Sequence, residues 1–73
     1  MSMYRFYIVG ETGETRLTGT HEDWGECYRE AMKNADVSDI ELIISDESTM
    51  EMVGWYPLAG YMEWREKNLK PWF

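Results

Sequence analysis

The chain has few of the residues that build metal sites and disulfides. Its 73 residues contain one cysteine, Cys27, and one histidine, His21. A lone cysteine cannot form an internal disulfide, which favours a reducing, cytosolic setting. Two soft ligands fall short of the four that a closed zinc site uses. No apolar run approaches the ~18 residues that span a membrane, and the first ten residues lack the pattern of a signal peptide.

Basic residues are missing from the middle of the chain. Residues 34–64 contain seven acids and no lysine or arginine, whereas residues 65–73 contain one acid and three bases. The formal net charge of −7 disfavours direct contact with nucleic acid, because phosphate neutralisation needs a basic face. The same charge favours attraction to a basic partner. The alternative is that the acidity only keeps a small protein in solution.

No residue pattern indicates catalysis or a cofactor. On one helix, His21 and Cys27 would point about 120° apart, so we expect an exposed histidine in the first turn and a small, buried cysteine. The acidic turn after residue 45 lacks the spacing and central glycine of an EF-hand loop. The segment from Gly10 to Gly13 lacks the Lys-Ser/Thr of a phosphate loop. We therefore expect a protein that is not an enzyme and that binds no metal and no organic cofactor.

The apolar run at residues 40–45 is the centre of the predicted fold, because its β-branched isoleucines suit a strand. Apolar periodicity predicts strands over 3–9, 15–18, 40–45 and 50–56 and a helix over 20–35, which would begin with a capping box from Thr20 to Asp23. A short C-terminal helix is predicted over residues 60–68, and the alternative is a fifth strand over residues 60–66. We expect a single α+β domain over residues 1–73. Its ββαββ antiparallel sheet would have the order 2-1-3-4, with the long helix packed on one face.

The predicted core lies between the helix and the sheet. Its members would be Phe6, Ile8, Trp24, Tyr28, Met32, Leu42 and Ile44, with Ile40 on the same strand face. Arg16 would keep the edge strand from pairing with another molecule. The aromatic content of 15% exceeds what this core can hold, so we expect Tyr7, Val53 and Trp55 to share the opposite sheet face. The alternative is that the C-terminal helix and tail cover that face.

In size, charge and ββαββ layout from Tyr4 to Tyr56, the chain resembles small acidic α+β proteins encoded by phages and other mobile elements, anti-CRISPR proteins among them. The resemblance implies an inhibitor or modulator that occupies a basic nucleic-acid groove on a host complex.

The candidate partner-binding residues are Asp46, Glu47, Glu51, Trp55 and Tyr56. We expect the acids to stand in for phosphates, with Glu51 on the strand face of Trp55, and the aromatic rings to anchor. The alternative is a homo-oligomeric or adaptor protein that uses the apolar sheet face.

Overall fold

A computed structural model describes residues 3–60 together with Trp64 and Lys67. Its elements are β1 (Tyr4–Val9), β2 (Thr15–His21), α1 (Trp24–Asn34), β3 (Glu41–Asp46) and β4 (Met52–Pro57). The strands form one sheet in the order β2-β1-β3-β4, and every neighbouring pair is antiparallel. The predicted α+β class, strand order and packed helix are therefore confirmed. The C-terminal helix expected at 60–68, and the alternative fifth strand, fall largely on residues outside the described ones.

Strand β2 is longer than predicted and takes in residues expected to start the helix. Thr20 pairs with Arg5 and His21 pairs with Tyr4, so the capping box predicted from Thr20 is wrong. Gly19 lies within this strand, paired with Phe6, and leaves room for the Phe6 ring, since an added Cβ would lie 2.8 Å from the ring. A glycine in a strand often marks such a close approach.

Helix α1 begins one turn later than its apolar spacing predicted. Asp23 is its N-cap, and the Asp23 carboxylate accepts a hydrogen bond of 3.0 Å from the Glu26 N–H. Aspartate is among the preferred residues at this position because it satisfies an N–H that has no partner within the helix. At 11 residues, α1 is too short and too polar to cross a membrane, and the described part of the chain holds no other candidate.

The core lies between α1 and one face of the sheet. Its buried members are Phe6, Ile8, Cys27, Ala31, Met32, Leu42, Ile44 and Leu58. Trp24 and Tyr28 pack against this cluster without being fully buried. Ile40 lies just before β3, is 36% exposed and is not among the residues of the core cluster. Leu58, absent from the predicted core, enters because its N–H donates to the Ile40 carbonyl and extends the β3–β4 pairing.

A bidentate ion pair joins β2 to the loop that follows α1. The Arg16 guanidinium donates to both carboxylate oxygens of Asp39, at 2.8 and 2.7 Å, and also to the Asn34 carbonyl. The Asp36 N–H donates to the same carboxylate. Arg16 was expected to keep the edge strand from pairing with another molecule, and it lies on the edge strand β2. The structure shows that it also closes this loop onto the sheet.

The β3–β4 hairpin contains two local irregularities. The register slips by one residue beside Ile44, so that Val53 is an extra residue, a β-bulge. At the tip, Met50 adopts a left-handed backbone with a φ of 63°. Its N–H donates to the Asp46 carbonyl, and the Asp46 N–H donates to the Glu51 carbonyl. The bulge changes which side chains share a face, with consequences for the binding surface.

Candidate protein-binding surface

The face of the sheet opposite α1 presents a row of apolar side chains. Tyr7, Ile43 and Trp55 are neighbours across β1, β3 and β4. They alternate along their strands with residues of the core, so they point to the other face. We call this surface the open face, and its members on these strands are Arg5, Tyr7, Val9, Glu41, Ile43, Ser45, Met52 and Trp55. The predicted sharing of a face by Tyr7 and Trp55 agrees with this register, whereas Val53, predicted to lie with them, is the extra residue of the bulge and is aligned with no residue of β3.

The side chain of Trp55 is held in place and still half exposed. Its indole Nε1–H donates a hydrogen bond of 2.6 Å to the Glu41 carboxylate on the neighbouring strand. The residue remains 53% exposed. A fixed aromatic ring loses little conformational freedom on binding, which is one reason tryptophan is common among anchor residues. Glu41 was not among the predicted site residues, although a lone acid inside an apolar strand was a visible signal.

Asp46 serves mainly to shape its own turn. Its carboxylate accepts hydrogen bonds from the Ser48 hydroxyl at 2.7 Å, the Ser48 N–H at 2.9 Å and the Thr49 N–H at 3.3 Å. The bonds from Ser48, followed by the one from Thr49, hold the pKa of Asp46 below its usual range. A carboxylate with this many local donors fixes the loop conformation. Asp46 therefore uses its carboxylate within its own turn.

Glu47 is already paired within the protein. Its carboxylate accepts a hydrogen bond of 2.5 Å from the Arg5 Nε–H, and both side chains are about two-thirds buried. The Glu47 N–H also donates to the Met3 carbonyl. The sequence did not reveal this pair, because the two residues are 42 positions apart and meet only through the β1–β3 pairing.

Glu51 and Tyr56 do not share the open face with Trp55. The extra residue at Val53 offsets the alternation, so that Glu51 lies opposite Asp46 while Trp55 lies opposite Ile43. Glu51 is exposed and has no ion-pair partner among the described residues. Tyr56 follows Trp55 in an unbroken strand and packs against the core on the helix side. The five predicted residues thus lie on two faces and a turn.

Tyr56 belongs to a cluster of aromatic rings beside α1. Its ring centroid lies 5.2 Å from that of Tyr28 and 6.1 Å from that of Trp24. These separations are those of rings in direct contact, so no space remains between them for a cationic ligand. Gly54 makes the contact possible, since a Cβ there would lie 3.2 Å from Tyr56 and 3.3 Å from Trp24.

An apolar groove lies next to this cluster, between α1 and the end of β4. Its volume is about 170 Å³, and it is lined by Tyr28, Met32, Tyr56, Pro57 and Leu58. This is close to the ~150 Å³ of an apolar cavity that admits a benzene ring.

Neither soft ligand is placed for metal binding or nucleophilic chemistry. Cys27 is fully buried, as predicted, and its thiol donates to the Tyr4 carbonyl at 3.2 Å. Burial raises the pKa of the Cys27 thiol, which suppresses the reactive thiolate. His21 was expected in the first helical turn, but it ends β2 and contacts the Glu30 carboxylate. Within the described ranges, no three His, Cys, Asp or Glu side chains converge as metal ligands do.

Two acids beside β4, Glu41 and Glu51, have no counter-ion within the described part of the chain. Arg5, Arg16 and Arg29 each form an ion pair with an acid elsewhere in the structure. Among the described residues, none forms an ion pair with Glu41 or Glu51. The open face and its β4 border therefore combine an anchored indole, apolar neighbours and available negative charge.

Comparison of the chain with protein-family models, with curated proteins and with solved structures finds no match. No residue role is transferred from a relative. The candidate binding surface, centred on Trp55 and Glu41, is therefore defined only by the contacts, exposure and charge of its own residues.

Proposed function

We propose that this protein is a non-enzymatic, acidic binding protein that docks through its open face on a basic surface of a partner protein. Its partner would be a nucleic-acid-handling protein, which it inhibits or modulates. The observation that carries the proposal is the half-exposed Trp55 indole, fixed by its hydrogen bond to Glu41. The single buried thiol of Cys27 suits action in the reducing cytoplasm.

The chemistry of Trp55 and Glu41 suits an arginine or lysine of the partner. A guanidinium can stack on the indole face while a carboxylate beside the ring accepts its N–H groups. Tyr7 and Ile43 extend the contact with apolar area on the same row of the sheet. Such an arrangement, with an aromatic anchor and polar groups around it, is typical of protein–protein hot spots.

The long-range electrostatics favour the same type of partner. The net charge is −7, and residues 34–64 contribute no positive charge. Surfaces that bind nucleic acid are basic, so an acidic protein is drawn to them, and the association rate rises as salt is lowered. The attraction comes from the overall field and from Glu41 and Glu51, since Asp46 and Glu47 are engaged within the protein.

The test is binding kinetics on a partner captured from a lysate of the source cells. Trp55→Ala should weaken binding at least tenfold, mainly through faster dissociation. Val37→Ala is the matched control, because Val37 is also about half exposed but lies in the loop after α1. Equal affinity of the two variants would refute the proposal.

A second pair of variants tests the role of charge. Glu51→Lys should slow association at low salt, and the effect should shrink at high salt because exposed charges are screened. Glu22→Lys makes the same charge change at an exposed position near the opposite edge of the sheet. Equal slowing by both variants would mean that only net charge matters and that this border of the sheet is not the docking site.

The alternative function is homo-oligomerisation or adaptor binding through the apolar row of the open face. The row of Tyr7, Ile43 and Trp55 is the observation that favours it. Two copies carry −7 each, so self-association should strengthen as salt screens their repulsion. Sedimentation at low and high salt distinguishes the two functions, since docking on a basic partner has the opposite salt dependence.

A further inference from the structure

The tip of the β3–β4 hairpin carries a methionine whose backbone is strained and whose side chain faces solvent. Met50 is 75% exposed, and its φ is 63°. A left-handed backbone is costly for a residue with a Cβ, whereas glycine adopts it freely. The side chain gains little burial in return for this cost. A strained residue of this kind points to a role outside the folded chain.

The hydrogen bonds of the turn hold Met50 in this position. The Met50 N–H donates to the Asp46 carbonyl at 2.7 Å, and the Asp46 N–H donates to the Glu51 carbonyl at 2.9 Å. The Asp46 carboxylate also accepts hydrogen bonds from Ser48 and Thr49. The side chain of Met50 is therefore presented from an ordered backbone, which limits the conformational entropy lost on binding.

Met50 stands at one end of a concentration of exposed apolar side chains. Eight large apolar residues are exposed in the described part of the chain, and four of them lie between residues 50 and 55, namely Met50, Met52, Val53 and Trp55. Methionine is enriched at the centres of interfaces, where its flexible thioether fits irregular apolar surfaces. Because Met52 and Trp55 lie on the open face, the tip extends the apolar row of that face beyond the start of β4.

The tip is distant from the end of the continuously described chain. β4 begins with Met52, next to the tip, and ends with Pro57, three residues before Gly60. At about 3.3 Å per residue, the two ends of this strand lie roughly 16 Å apart. Met50 is thus presented at the opposite end of the hairpin from Gly60 and from the groove beside α1.

We infer that Met50 inserts into an apolar pocket of the partner protein, while Glu51 pairs with a lysine or arginine on the rim of that pocket. Glu51 is exposed and has no ion-pair partner among the described residues. Charge complementarity selects this occupant, because Asp46, Glu47 and Glu51 surround the tip with acids and a second copy would bring a further charge of −7. An apolar centre with a polar rim is the usual anatomy of such contacts. The inference rests on the proposed function and adds the chemistry of the partner's binding site.

The test uses substitutions at Met50 that separate binding from folding. Met50→Gly removes the side chain and relieves the backbone, and Met50→Asn places a polar side chain on a residue type that tolerates the left-handed region. Met50→Leu keeps the apolar volume. The probe is the protein that the parent chain captures from a lysate of the source cells. Its dissociation constant is measured for each full-length variant, together with urea unfolding of that variant.

The glycine and asparagine variants should bind the captured protein at least about tenfold more weakly than the parent. Both should unfold at the same or a higher urea concentration, so that the loss is not one of folding. Met50→Leu should bind within about threefold of the parent. Val37→Gly is the matched control, because it removes a side chain that is 50% exposed in the loop after α1. Parent-like binding by Met50→Gly overturns the inference, as does an equal loss on Val37→Gly.

A crosslink reports the chemistry of the contact itself. Met50→photo-methionine, made by chemical synthesis of the full chain, places a diazirine where the sulfur lies. On irradiation it should link to a segment of the captured protein that contains apolar residues beside lysine or arginine. A link to an acidic segment or to a second copy of this chain overturns the inference, and so does the absence of any link.

The same variants distinguish this inference from the proposed function. If Trp55→Ala weakens binding of the captured protein and Met50→Gly does not, the open face docks without the hairpin tip. The inference then fails while the proposed function stands. If the parent captures no protein, or if Trp55→Ala and Met50→Gly both bind as tightly as the parent, the proposed function fails together with the inference.

Discussion

Asp39→Asn is the substitution expected to reveal how much of the stability depends on one buried carboxylate. Asp39 is fully buried, and its two oxygens accept hydrogen bonds from the Arg16 Nε–H, the Arg16 Nη2–H and the Asp36 N–H. Asparagine has nearly the same shape but offers one oxygen and an NH₂ group. That NH₂ must face an N–H donor of Arg16 or Asp36, so the change removes the charge and also misaligns the donors.

The size of the loss follows from the exposure of the two partners. Removing one partner of a buried ion pair costs roughly 3–5 kcal/mol. The Arg16 side chain is 42% exposed, so its guanidinium regains water, and we expect the lower value of about 2–3 kcal/mol. In a domain of this size each kcal/mol corresponds to roughly 4–8 °C. The melting temperature should therefore fall by about 10–20 °C.

The assay is urea unfolding of the parent, of Asp39→Asn, of Arg16→Met and of the double variant. The double-mutant cycle isolates the coupling between the two side chains. Glu11→Gln, in the turn after β1, is the matched control and should change the free energy of unfolding by less than about 0.5 kcal/mol, because its side chain is exposed. An Asp39→Asn variant that unfolds at the parent's urea concentration would refute the reasoning.

Three further outcomes are expected. Ile44→Ala should cost about 2–5 kcal/mol, because Ile44 is fully buried in the core; a melting temperature within a few degrees of the parent would show that β3 is not central. Met50→Gly should stabilise the protein by about 0.5–1 kcal/mol in urea unfolding, because φ at Met50 is 63°; unchanged or lower stability would argue against that backbone. Burial alone would raise the pKa of Asp39, but the hydrogen bond from Arg16, the Asp36 N–H and the guanidinium charge together lower it below 3.8. Above the pKa that Asp39 has in the unfolded chain, its contribution to the free energy of unfolding is therefore constant. That contribution is lost as the pH falls through the lower pKa of Asp39 in the folded protein. Urea unfolding from pH 7 to 2 should show a smaller loss of stability for Asp39→Asn than for the parent.

Most of the fold could be predicted from local patterns. Alternation over two residues and periodicity over 3.6 residues depend only on near neighbours, and they located all four strands and the helix. The error at the start of α1 arose because Thr20 and Asp23 are both good cap residues. Pairing of Thr20 with Arg5 decided between them, and the local pattern contains no information on that contact.

The candidate site was predictable only in part. The sequence identified Trp55 as an exposed aromatic residue, and the structure places it on the open face. The single extra residue at Val53 moved Glu51 to the other side of the strand, because a shift of one position exchanges the two faces. Only the register of β3 against β4 reveals the bulge, so alternation along the sequence could not predict that Glu51 and Trp55 lie on different faces.

The sequence by itself determined that the middle of the chain is acidic and that Cys27 has no disulfide partner among these residues. Its apolar periodicity also determined the order of strands and helix, ββαββ. Only the tertiary structure decided which acids are available. Glu47 meets Arg5 and Asp39 meets Arg16 across 42 and 23 residues, whereas Glu41 is turned to Trp55. The physical reason is that composition fixes the total charge, while the free energy of each carboxylate depends on the donors that folding brings within a few ångströms of it.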